Sequence, residues 1–157
     1  MTEDETLARI ALEEERLQFP HFDEGVAWQI GVALVDVARA GQLPVVINIR
    51  TQDATLFHAA LPGAAPANEN WARRKSNVTL HCHKASWAMG LNFARRGITA
   101  PGADQGLPAI DFATHGGSFP VRLRGGRVVA AVTVSGLPQA DDHAMVVTAI
   151  EGVLHTL

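Results

Sequence analysis

His115-Gly116-Gly117-Ser118-Phe119-Pro120-Val121-Arg122-Leu123-Arg124-Gly125-Gly126-Arg127-Val128-Val129-Ala130-Ala131-Val132-Thr133-Val134-Ser135 is the stretch on which the fold turns. Two runs of strand-forming residues flank Gly125-Gly126, and both glycines tolerate positive φ. The pair therefore joins Phe119–Arg124 to Arg127–Ser135 as a tight hairpin. Val128 to Val134 is apolar on both faces, which predicts a central strand covered on both sides. In an antiparallel hairpin the start of the first strand lies beside the end of the second. His115 and Ser135 should accordingly meet, next to the last helix that Pro138 opens.

Working outward, Val45, Ile47 and Ile49 alternate with Val46, Asn48 and Arg50, giving a strand over Pro44–Arg50. The turn Thr51-Gln52-Asp53 leads to a second strand over Ala54–Ala60. Ile110–His115 completes an expected set of five strands. Asp23 and Gly41 bracket a helix from Glu24 to about Ala40. Its stripe of Val26, Ile30, Leu34 and Val37 faces a core, while Ala27, Trp28, Val32 and Val35 point elsewhere, so a second subunit is an expected cover. A charged helix is expected over Thr2–Leu17 and a long one from about Ala67 to Arg96, ended by Gly97. Val146, Ile150, Val153 and Leu154 mark the core side of the last. Short links between strands imply an antiparallel sheet, and helices on both faces imply three layers, an α/β/α sandwich.

The chain of 157 residues is 47% hydrophobic and 18% charged with net charge −3, so it reads as one globular domain spanning 1–157. Nothing in this balance suggests nucleic acid or a membrane surface as partner. One cysteine, Cys82, rules out an internal disulfide. With the acidic start Met1-Thr2-Glu3-Asp4-Glu5, it points to a cytoplasmic protein. No G-x-S-x-G, G-x-x-x-x-G-K-[ST] or G-x-G-x-x-G is present, which argues against serine hydrolases and nucleotide loops. His81-Cys82-His83 is no chelate, because residues two apart on a helix face nearly opposite ways.

Polar residues beside glycine or proline concentrate in three segments: Asn68 to Lys75, His115 to Pro120, and Ser135 to His143. Glycines admit a ligand close to backbone, and a helix N-terminus offers free N–H groups. The expected small-molecule site consists of Asn70, Arg74, Lys75, His115, Gly116, Gly117, Phe119, Gln139, Asp142 and His143. Arg74 and Lys75 would hold an anionic group, and both imidazoles would open onto one hollow. An enzyme at the same corner would use His115 or His143 as general acid/base with Asp142 orienting a ring. A third reading is an oligomeric interaction protein without ligand.

Asn70-Trp71 with Arg74-Lys75, the His115–Pro120 run, Ser135-Gly136-Leu137-Pro138-Gln139 and Asp142-His143-Ala144-Met145-Val146-Val147 together resemble an uncharacterised family of heme-degrading-domain proteins. It is similar to the GlcG-like, HbpS-like and PduO C-terminal domains. The resemblance covers nearly the whole chain. It implies a profilin-like sandwich around a five-stranded antiparallel sheet and a homo-oligomer. It also places heme among the candidate ligands, one histidine then being axial and the basic pair meeting the propionates.

Overall fold

The computed structural model describes residues 1–157. In chain order it runs α1 (Glu3–Arg16), β1 (Gln18–Phe19), α2 (Glu24–Ala40), β2 (Val46–Arg50), β3 (Thr55–Ala60), α3 (Pro66–Cys82) and α4 (Ser86–Arg95). A short 3-10 turn (Ala103–Gln105), β4 (Ser118–Leu123), β5 (Val128–Ser135) and α5 (Gln139–Leu154) complete it. The five strands form one sheet in the order β1-β4-β5-β2-β3, which puts β5 at the centre. No helix is long and apolar enough to cross a membrane.

The two faces of the sheet differ in chemistry. Ile47, Ile49, Phe119, Val121, Ala130, Val132 and Val134 join Ile30 and Leu34 of α2 and Val146 and Ile150 of α5 in a large apolar core. The opposite face carries Asn48, Arg50, Ser118, Thr133 and Ser135, and α3 covers it. There Thr133 Oγ1 donates to Ser118 Oγ at 2.9 Å, and Ser86 Oγ accepts from the Ser118 N–H at 3.1 Å. The buried Ser118 and Thr133 thus find partners on the neighbouring strand and on α4.

The hairpin forms as expected, with Ser118 opposite Thr133 and Phe119 opposite Val132. Of its two glycines only Gly125 takes positive φ, at 63°. Three expectations are corrected. The sheet is mixed, because Gln18–Phe19 lies parallel to β4, with Phe19 opposite Leu123. The long helix is two: His83 adopts the left-handed conformation at φ 59° and ends α3. Ile110–His115 is no strand. Its backbone is held by α3 side chains instead, Arg73 donating to the Ile110 carbonyl at 2.7 Å and Arg74 to that of Ala109 at 2.8 Å. Asn77 donates to the Asp111 carbonyl at 2.8 Å. These bonds fasten an exposed loop to α3 where a strand would have bonded to its neighbour.

Candidate functional site

The end of the hairpin, the start of α5 and the first half of α3 enclose a polar hollow of about 270 Å³. Asn68, Trp71 and Lys75 of α3 line one wall; they lie three and four residues apart, on one face of the helix. His115 and Gly116 precede β4, Ser135 ends β5, and Gln139 begins α5. His115 and Ser135 therefore share a cavity, as the tight reversal requires.

The floor is a buried ion pair. Lys75 and Asp142 are each exposed to 3% or less, with Nζ 3.2 Å from Oδ2. The ammonium also donates to the Gly116 carbonyl at 3.0 Å and the Val134 carbonyl at 2.8 Å. Its three protons are thus all used. Asp142 in turn accepts from the N–H groups of Gly136 (3.3 Å) and Leu137 (3.0 Å). Burial lowers the Lys75 pKa and raises that of Asp142, and the mutual attraction of the pair opposes both shifts. Gln139 Oε1 accepts from the Gly116 N–H at 2.9 Å, tying α5 to the same loop.

His115 stands at the rim, its ring 4.9 Å from that of Trp71 in an edge-on contact. The Arg74 guanidinium lies 4.7 Å over the same indole. Desolvation, then the charges of Lys75 and Arg74, lower the His115 pKa below the ordinary 6.5. The imidazole is therefore neutral at pH 7, and no protein group hydrogen-bonds it. A neutral ring with free nitrogens can accept a proton or a hydrogen bond, or donate a lone pair to a metal.

The expected residues divide sharply. Lys75, His115, Gly116, Gln139 and Asp142 line the hollow. Gly117 lies directly behind it, with its carbonyl accepting from the Val134 N–H at 2.9 Å. Asn70 lines a different cleft, with Arg73. Phe119 is fully buried on the apolar face. Arg74 spends its guanidinium on loop carbonyls and the Trp71 ring, so it is no free anion holder.

His143 does not open onto the hollow. It is 2% exposed, edge-on to Trp87 (5.2 Å) and Phe119 (5.9 Å), with Nε2 3.3 Å from Glu13 of α1. Successive helix residues point about 100° apart, so Asp142 and His143 cannot serve one site. The expectation of two imidazoles in a common hollow is replaced by one, His115, over a polar floor. Asn68 and Trp71 are wall residues outside the expected set, and their helical spacing from Lys75 is the signal for them. Among all residues no group of three His, Cys, Asp or Glu side chains is placed to hold a metal.

A family model described as "Haem degrading protein HbpS-like" matches residues 22–151. A UPF0303 protein of Acidobacterium capsulatum is 47% identical over 146 residues, covering 93% of this chain and 88% of that protein. One from Rhizobium meliloti is 46% identical over 154 residues, covering 98% and 93%. Among solved structures, the Ybr137w protein superposes with a TM-score of 0.85 at 25% identity, covering 94% of this chain and 87% of that one. A PduOC–heme complex superposes with a TM-score of 0.70 at 21% identity, covering 83% and 93%, and shows the shared fold.

Proposed function

We propose that this chain, which belongs to the HbpS-like family and is closely related to UPF0303 proteins, is a cytosolic, self-associating module that binds a small polar molecule in the His115 hollow. The observation that carries this reading is the rigidly braced polar cavity beneath one free, neutral imidazole. Asn68, Gln139 and the His115 ring supply uncommitted hydrogen-bonding atoms around it. Lys75 and Asp142 shape the cavity and do not meet the ligand through free protons.

A heme does not fit this hollow within one chain. Of its ten lining residues two are apolar, and its volume of about 270 Å³ is below the roughly 300–1,000 Å³ that holds a drug-sized molecule. His115 alone suits iron. The other features asked of a heme site, an apolar slot and a free basic pair, are absent, since Arg74 and Lys75 are engaged. Catalysis has less support than binding, because no hydrogen bond joins the one imidazole at the hollow to the Ser135 hydroxyl that shares it, so no nucleophile is paired with a base.

The test is a titration of the purified protein with hemin and with a panel of small hydroxylated and carboxylated metabolites, followed by NMR of the histidine rings. The expected result is a His115 ring shift with a small polar compound, and no Soret shift with hemin. A Soret band lost in His115→Ala overturns the polar-ligand reading in favour of heme. Binding through the ring lone pair should persist at pH 6.5, because the His115 pKa lies below that of an ordinary histidine. Lowering the pH through that depressed pKa protonates the ring and removes the lone pair. Loss of binding already at pH 7 would show that His115 is not the contact.

Self-association rests on α2. Trp28 is 62% and Val37 51% exposed, and an apolar groove of about 600 Å³ runs between α2 and α5, past Ala33, Leu43 and Met145. Exposed apolar area of this kind marks an interaction surface, and a two-fold axis lets one patch cover its own copy. Leu34 is fully buried in the core, so it does not probe the surface. Val37→Asp should convert the assembly to monomer in sedimentation velocity with little change in melting temperature. A wild-type chain that is already monomeric at micromolar concentration removes this part of the proposal.

A further inference from the structure

A second cleft lies on the opposite side of α3, between that helix and the strands β2 and β3, with a volume of about 380 Å³. It shares no lining residue with the hollow. Its floor comes from the α3-facing side of β2, where Asn48 and Arg50 stand two residues apart.

Of the charged groups there, only Arg50 lacks a side chain of opposite charge or a histidine in contact. Asn48 is directly opposite His58 across the β2–β3 pair, and Asn48 Nδ2 donates to His58 Nδ1 at 3.0 Å. His58 Nε2 lies 3.0 Å from Glu69 Oε1, so that carboxylate is engaged. Arg73 pairs with Asp111 at 2.9 Å. Arg50 is left with a neutral partner, Asn77 Oδ1 at 2.7 Å, and no carboxylate. Its Nε and the Asn48 Oδ1 are both buried without any hydrogen-bond partner. Desolvation, then the nearby Arg73 charge, weaken the hold of Arg50 on its proton. A half-buried guanidinium beside another, with no carboxylate in contact, is an unfavourable arrangement that an oxyanion relieves.

We propose that this cleft binds the carboxylate or phosphate group of a small molecule on Arg50, with Arg73 adding to the attraction and Asn48 Oδ1 accepting from a hydroxyl on the same ligand. The site is independent of the His115 hollow. Glu69, the acid that lines the cleft, is turned to His58, so its repulsion is blunted by that hydrogen bond. The planar guanidinium, only one of whose five N–H donors is taken by Asn77, matches two oxygens of such a group.

The experiment uses inorganic phosphate and citrate as probes, at ionic strength matched with sodium chloride. The expected result is a rise in melting temperature with at least one of them, retained in His115→Ala. In Arg50→Gln the apparent affinity should fall about tenfold or more, the loss of one charge-assisted pair. The Asn48 side-chain amide should shift in the ¹H–¹⁵N spectrum of the wild-type chain on adding the same probe. Retention of the full melting shift in Arg50→Gln overturns the proposal, as does the absence of any shift with both anions. Should Arg50→Gln fail to fold, an unmoved Asn48 amide overturns it equally.

Discussion

Lys75→Met is expected to cost about 3–5 kcal/mol of folding stability, the range for breaking a buried ion pair by removing one partner. In a chain of this size that is a fall in melting temperature of roughly 6–20 °C, at about 2–4 °C per kcal/mol. The reason lies in what is left behind. Without the ammonium, Asp142 keeps its charge at 3% side-chain exposure or loses it, and the Gly116 and Val134 carbonyls lose their donor. Burial moves the Lys75 pKa down and the Asp142 pKa up, so each charged form is disfavoured by folding in itself. For Lys75, stability rises as pH climbs from the lowered folded pKa to the ordinary 10.5. For Asp142, it rises as pH falls from the raised folded pKa to the ordinary 3.8. At neutral pH the pair therefore adds little net stability. Its value is positional: it fixes the start of β4, the end of β5 and the start of α5 on α3. The double variant Lys75→Met/Asp142→Leu should accordingly lose less than the sum of the single losses, because no orphaned charge remains. Urea unfolding of the four proteins measures this coupling. A single-variant loss below about 1 kcal/mol would falsify the brace.

Much of this was open to reading in the chain, and the misses have physical causes. Helix α2 ends where its cap and stop say, at Glu24 and Ala40, because Asp23 accepts from the Val26 N–H at 2.9 Å. The hairpin and the meeting of His115 with Ser135 follow from two glycines between strand-forming runs. β1 could not be read, since two residues carry no period. The break between α3 and α4 falls at His83, a left-handed residue that is neither glycine nor proline. Ile110–His115 has the composition of a strand, but side chains of α3 satisfy its backbone. That same fact removed Arg74 from the ligand site. A run of basic residues reveals its charge and not which carbonyls its protons reach. The pairing of Asp142 with His143 was a different kind of miss. Helical geometry alone separates neighbours.

Gly117→Ala is the sharpest way to ask whether the hollow is a fixed shape. Gly117 has φ 133°, a conformation that L side chains rarely adopt. A Cβ built there would lie 2.4 Å from the Val134 carbonyl oxygen and 2.5 Å from Lys75 Nζ. The first is backbone of the central strand and cannot step aside without shifting the β4–β5 ladder. The second is held by three acceptors. Backbone strain of about 1–3 kcal/mol and overpacking of about 1–3 kcal/mol both apply, so a loss of about 2–6 kcal/mol is expected. Gly102→Ala is the control: nothing stands within 4 Å of its Cβ and its φ is negative, so without a clash its loss should stay well below that of Gly117→Ala. Because the methyl and the ammonium compete for the same space, the cost of Gly117→Ala should shrink in a Lys75→Met background while the clash with Val134 keeps it above zero. Ligand-induced shifts of the His115 ring should vanish in Gly117→Ala even at temperatures where the variant remains folded. A variant as mild as Gly102→Ala, with those shifts intact, would mean that the floor yields freely, and a preformed cavity could not then be the source of selectivity.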